Sequence, residues 1–147
     1  MQEQIFHLGV KALIFNHQGQ ILLLKVNQNN FTEVQEEDYW DLPGGRVLEG
    51  HTSEETLKRE IKEETGLERI ELGQCLGMTL SNMRIPLKNG IKAGLVVAVY
   101  VCHMTVDAAI QISKEHHDFK WVEPHEGAKL LSIKYPKDFF EKLLITA

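Results

Sequence analysis

The stretch Gly94-Leu95-Val96-Val97-Ala98-Val99-Tyr100-Val101 runs nearly unbroken in apolar residues. A strand with one wet face alternates apolar and polar positions, so a run without alternation belongs where both faces of a sheet are covered. Helices must then flank the sheet on both sides. The class implied is α/β, an α/β/α sandwich around a central mixed sheet. With 147 residues, 43% of them apolar, the chain has enough material for one self-supporting core, and a second would be crowded. A single domain over residues 1–147 is expected.

The rest of the chain supplies partners for that strand. Phe6 to Phe15 and Gln20 to Val26 read as a hairpin turned at Asn16-His17-Gln18-Gly19. Ile70 to Ser81 and Ile91 to Met104 read as long strands, joined through a segment holding Pro86 and the turn-forming pair Asn89-Gly90, and Phe119 to Val122 as a short one. Pro124 to Leu131 and Pro136 to Ile145 read as helices, each opened by a proline suited to a first turn. The polar, aperiodic stretch Asn27 to Asp38 predicts a mobile loop.

Charge and cysteine usage narrow the function classes. A net charge of −5 and a pI near 5.8 argue against a broad grip on nucleic-acid backbone while leaving room for a small nucleotide. The N-terminal stretch lacks the basic start, apolar core and cleavage site of a secretory signal, and no apolar run reaches membrane-spanning length. A cytoplasmic protein without a membrane partner is expected; a homodimer stays open. Cys75 and Cys102 form no C-x-x-C pair and read as buried free thiols.

The acidic run around Glu54 to Glu64 poses the functional question. Thr52 followed by Glu55 makes a capping box, and Gly66 suits a helix C-terminus, so the spacing predicts a helix over Ser53 to Thr65. At ~100° per residue, Glu60, Glu63 and Glu64 share one sector, beside rather than opposite the apolar positions Leu57 and Ile61. A stripe placed only for solvation would lie opposite. Carboxylates crowded at the rim of a core repel one another, and Arg59 alone does not neutralise three. A divalent cation, Mg²⁺ or Mn²⁺, would. A solvated face that binds nothing is the rival reading of the same spacing.

Trp40-Asp41-Leu42-Pro43-Gly44-Gly45 ahead of the helix and Arg59-Glu60-Ile61-Lys62-Glu63-Glu64-Thr65-Gly66-Leu67 at its end complete the constellation. From Gly45 to Leu67 it resembles the signature box of the Nudix hydrolases, which reads G, five residues, E, seven residues, R-E-U-x-E-E-x-G-U, with U a bulky aliphatic. Every fixed position is matched except the first glutamate, where His51 stands. The resemblance implies the family's sandwich fold and metal-dependent cleavage of a pyrophosphate bond in a nucleoside diphosphate linked to another moiety. It also implies Glu60, Glu63, Glu64 and the Gly44 carbonyl as metal ligands, with Arg59 orienting Glu60. The general base would be Glu60 first and Glu115 second, the latter resembling an acidic residue that some members carry ahead of a strand bearing a tryptophan, here Trp121.

Around this core stand weaker candidates. Glu115 reads equally as a solvated loop charge, and His116 and His117 either touch phosphate or a ligand or, the commoner case for neighbouring loop histidines, are simply exposed. Lys25 and Arg84 are candidate phosphate contacts, and Trp40 a candidate stacking surface for a base. The functional alternative is a non-catalytic Nudix domain acting as a nucleotide sensor or a partner-binding module, favoured by His51 and opposed by the intact Arg59, Glu60, Glu63 and Glu64.

Overall fold

The computed structural model describes residues 1–26 and 38–146, so the loop expected from Asn27 lies almost wholly outside the described residues. In chain order the elements are β1 (Phe6–Phe15), β2 (Ile21–Val26), β3 (Tyr39–Asp41), β4 (Gly44–Arg46), α1 (Ser53–Thr65), β5 (Ile70–Leu80), β6 (Ile85–Pro86), β7 (Lys92–Met104), β8 (His116–Val122), α2 (Pro124–Leu130) and α3 (Phe139–Thr146). The sheet is mixed. β1 runs parallel to β7, with Phe6 opposite Gly94 and Phe15 opposite His103, while β5 and β7, and β2 and β8, pair antiparallel.

Burial on both faces follows the alternation of each strand. Leu13, Ile21, Leu23, Leu95, Val97 and Val99 pack with Ala128, Leu131, Tyr135, Phe140 and Leu143 from α2, α3 and their connection. Their neighbours Ala12, Ile14, Leu22, Leu24, Ala98 and Cys102 pack with Leu57 and Ile61 of α1. Successive residues of one strand thus feed opposite layers, as the unalternating run of β7 requires.

The β1/β2 hairpin is forked. Its turn is held by the Asn16 side chain, which accepts from the N–H groups of Gln18 and Gln20 at 3.0 and 2.9 Å, and Phe15 lies opposite Ile21. Beyond that point β1 takes β4 as its partner, through Gly9, Val10 and Lys11, and β2 takes β3, through Leu24 to Val26. The chain from Tyr39 to Arg46 is therefore wedged into the fork. Ala12 N–H donates to the Pro43 carbonyl at 2.8 Å, fastening the wedge where the two short strands meet. Nothing in the local pattern of Tyr39 to Arg46 marks strands, and tertiary pairing makes them.

The structure corrects several boundaries. α3 begins at Phe139 rather than Pro136, because the Pro136 carbonyl accepts the Phe139 N–H at 3.1 Å in a separate turn ahead of the helix. β8 begins at His116 rather than Phe119, since pairing with β2 carries its polar start into the sheet across an irregularity at Lys25/Val26. Cys102 is buried as expected, whereas Cys75 is exposed on β5, which ends the sheet's main strand order. No helix among the described residues is long and apolar enough to cross a membrane.

Candidate active site

α1 matches the predicted span. Thr52 Oγ1 accepts from the Glu55 N–H at 3.1 Å, Glu55 Oε2 accepts from the Thr52 N–H at 3.2 Å, and the Gly66 N–H closes the helix onto the Lys62 carbonyl at 2.9 Å. A capping box sets the start register, so it also sets which residues face the wedge. Glu64 does, and it is buried, with Oε1 accepting from the Gly44 N–H at 2.8 Å.

The glycines allow this approach. Gly44 holds φ 151°, and a Cβ there would collide with the Val10 carbonyl oxygen and with Lys11. A Cβ on Gly45 would stand 2.7 Å from the Glu60 carboxyl carbon, so Glu60 rests directly against the backbone of β4.

Arg59 gathers the exposed side of the cluster. Its Nη2 lies 3.4 Å from Glu60 Oε1, its Nε 3.9 Å from Glu63 Oε1, and its Nη1 3.0 Å from Nδ1 of His51. Glu115, Glu64 and His116 each bring one donor atom into a group spanning no more than 4.8 Å. His116 Nε2 is 3.4 Å from Glu64 Oε2, both side chains being buried. The expectation of an exposed loop histidine fails for His116, which β8 turns inward. His117 stays outside and pairs with Asp38 at 2.8 Å.

Beneath the carboxylates lies a charged network that sequence reasoning missed. Asp41 is buried, and its Oδ2 receives Lys11 Nζ at 3.0 Å and Lys134 Nζ at 2.6 Å. Its Oδ1 accepts from the Tyr135 hydroxyl at 2.6 Å and the Leu42 N–H at 2.7 Å. Lys11 also donates to the Leu42 carbonyl at 3.2 Å. A lysine inside the apolar β1 sequence Val-Lys-Ala-Leu-Ile-Phe was the available signal, because a strand covered on both faces keeps a charge only when that charge is paired.

The electrostatics follow from burial and crowding. Burial, reinforced by Glu60 and Asp41, pushes the Glu64 carboxyl up to about 8 even though Lys11 and the Gly44 N–H oppose it. Burial also raises Glu60, with Arg59 opposing and Glu63 and Glu115 adding to the rise. Asp41 behaves oppositely: burial alone would raise it, but Lys11 and Lys134 hold it well below the usual carboxylate range. Burial lowers Lys134 to about 8 and His116 to about 4.

The remaining sequence candidates each have local partners. Trp40 packs against the layer of α2 and α3, with Lys120 Nζ 4.8 Å and Lys25 Nζ 5.7 Å from its ring centre. Arg84 is exposed and donates to the Lys92 carbonyl at 3.2 Å across the β6/β7 pair.

The chain is similar to known proteins to differing depth. An uncharacterized Nudix hydrolase of Listeria innocua is 37% identical over 91 residues, covering 60% of this chain and 46% of that protein. The nucleoside triphosphatase NudI of Escherichia coli is 32% identical over 93 residues, covering 59% and 63%. A putative 8-oxo-dGTP diphosphatase of Bacillus subtilis is 43% identical over 58 residues, covering 40% and 34%. These alignments span between about a third and just under two thirds of the curated relatives' lengths. Among solved structures, a MutT protein from Methanosarcina mazei superposes with a TM-score of 0.73 at 28% identity, over 99% of this chain and 98% of that one. An Ap4A hydrolase from C. elegans, at 20% identity and a TM-score of 0.71 over 95% and 96%, shares the fold. The family model described as NUDIX domain matches residues 5–143, from the residue before β1 into α3, and the chain belongs to that family.

Proposed function

We propose that the chain is a divalent-metal-dependent hydrolase that breaks a pyrophosphate bond in a nucleoside diphosphate linked to another moiety. Nucleoside triphosphates are the first substrates to test. One observation carries the reading: Glu64 is buried against the Gly44 N–H with Glu115 and His116 around it, and Glu60 and Glu63 are ranged beside it on the same helix. Without a cation, such a cluster keeps protons on groups that would otherwise ionise, which is the direction in which Glu60 and Glu64 are displaced. A divalent ion would take the place of those protons.

The donor set fits a hard cation. Carboxylates and a backbone carbonyl suit Mg²⁺, with Mn²⁺ as a substitute, and Glu60, Glu63, Glu64 and the Gly44 carbonyl would hold it. When bound, the ion supplies charge neutralisation at the diphosphate and an acidified water. The chain's own groups do the rest. Arg59 spans Glu60 and Glu63 and fixes their carboxylates while pinned at its far side by His51. Glu60 would take the proton from the attacking water, and Glu115 is the second choice for that step. Lys25, Trp40 and Arg84 are not needed by this reading.

The names of two relatives, a nucleoside triphosphatase and a putative 8-oxo-dGTP diphosphatase, support the substrate class. A small nucleotide as the partner and a cytoplasmic setting go with it. The test is a panel of nucleoside triphosphates, dinucleoside polyphosphates and nucleoside diphosphate sugars, each with Mg²⁺ and with products separated by chromatography. Release of a nucleotide product that stops on chelation is expected. No turnover on any member, with nucleotide still bound, would replace this reading with the sensor alternative.

A further inference from the structure

Oxygen donors account for most of the cluster, but not for His116. Its imidazole is buried, its side chain retaining only 7% of its accessible surface, and its Nδ1 has no hydrogen-bond partner among the described residues. A neutral imidazole ligates through one ring nitrogen, and the one that faces the cluster is Nε2. It stands 3.4 Å from Glu64 Oε2, and one donor each from His116, Glu64 and Glu115 lies within 4.8 Å of the others. Two donors held ~2.1 Å from one ion stand ~3.0 Å apart at a right angle and ~3.4 Å apart at a tetrahedral one. The 3.4 Å between Nε2 and Oε2 allows both atoms to reach one ion.

We propose that His116 supplies a nitrogen donor, with Glu64 and Glu115, to a cation position that prefers first-row transition ions over Mg²⁺. The inference rests on the metal-dependent reading of the cluster and adds a ligand and a selectivity to it. Imidazole raises affinity along the transition series and offers little to Mg²⁺, which favours carboxylate, carbonyl and water. β8 makes the placement: its pairing brings His116 opposite Val26 and turns the ring inward, while the next residue, His117, points out to Asp38. One-residue alternation thus separates the ligand from its exposed neighbour.

The test uses the whole protein stripped of metal and loaded with Mn²⁺. Electron spin echo modulation of bound Mn²⁺ is expected to show coupling to ¹⁴N, which changes to the ¹⁵N pattern when histidine is isotopically labelled and disappears in His116→Gln. Calorimetric titration is expected to show the ratio of Mn²⁺ to Mg²⁺ affinity falling by at least ~10-fold in the same variant. Should His116→Gln not fold, retention of the coupling in the Asn variant of each other histidine, His7, His17, His51, His103, His117 and His125, assigns it to His116, and its loss in any of them overturns the proposal. Mn²⁺ binding that depends on Glu64 but shows no histidine nitrogen also overturns it, and leaves the metal-dependent reading standing. If neither Mn²⁺ nor Mg²⁺ binds, both readings fall together.

Discussion

His51 Nδ1 and Arg59 Nη1 are 3.0 Å apart, and because a guanidinium only donates, the imidazole nitrogen is the acceptor. The ring proton therefore sits on Nε2. The residue that departs from the family's box is thus bonded to the arginine that spans Glu60 and Glu63. A carboxylate at this place would accept from the same guanidinium, and it would add a charge.

Replacing one acceptor by another should alter catalysis little. His51→Glu is expected to change kcat/KM by less than ~10-fold, about 1.4 kcal/mol, in either direction across a Mg²⁺ titration. An inert natural protein whose His51→Glu variant turns over rapidly would instead make His51 the lesion of a former enzyme.

Removing charge from the cluster itself should be severe. Glu63→Gln and Glu64→Gln are each expected to lower kcat by at least ~100-fold with the fold retained by circular dichroism. Near-normal turnover of both variants at saturating Mg²⁺ would remove α1 from the metal site.

Glu115→Gln separates two roles for that residue. A ligand's loss weakens activity most at low Mg²⁺ and is relieved by excess metal, whereas a base's loss lowers kcat uniformly. Rates measured over a thousandfold range of Mg²⁺ distinguish these patterns, and an unchanged rate throughout would leave Glu115 a solvated charge.

The metal-free protein should soften as pH rises. Glu64 titrates at about 8 when folded against an ordinary 4.5, so between those values the native state keeps a proton that the unfolded chain has released. The associated stability is full below pH 4.5 and is lost as pH climbs through about 8. Thermal melts in chelator are expected to show Tm falling by at least ~5 °C from pH 5.5 to 8.5, with a flatter profile for Glu64→Gln. A wild-type profile that rises over this range would contradict the assignment.

Asp41→Asn tests the buried network. It leaves Lys11 and Lys134 without their shared carboxylate and is expected to cost about 3–5 kcal/mol in urea unfolding. A loss below about 1 kcal/mol would mean that the two ammonium groups find other partners.

What could be read from sequence divides along the range of the forces involved. α1 was legible to the residue, since Thr52, Glu55 and Gly66 act within one turn of its ends. The two-faced burial of β7 was legible because alternation, or its lack, is local too. β3 and β4 were not, for they are strands only in the fork of β1 and β2. Asp41 stood out no more than the rest of the stretch ahead of α1, since its partners Lys11 and Lys134 lie 30 and 93 residues away. The inward turn of His116 depends on pairing with β2, and its polar neighbours gave no periodic sign of it.

The fork in the β1/β2 hairpin also bears on how the molecule is made. Gly44 finds its place only when β4 has entered the fork, and β1 is clamped on its other edge by β7, with Phe6 against Gly94. Parallel pairing over such a separation forms slowly, after local helices and turns. A chain in which β4 has not yet paired with β1 does not hold the Gly44 amide against Glu64, however complete α1 is. Cation capture during refolding should therefore follow the pairing of β4 with β1, and the helix that carries the carboxylates is not competent for metal until that pairing has formed.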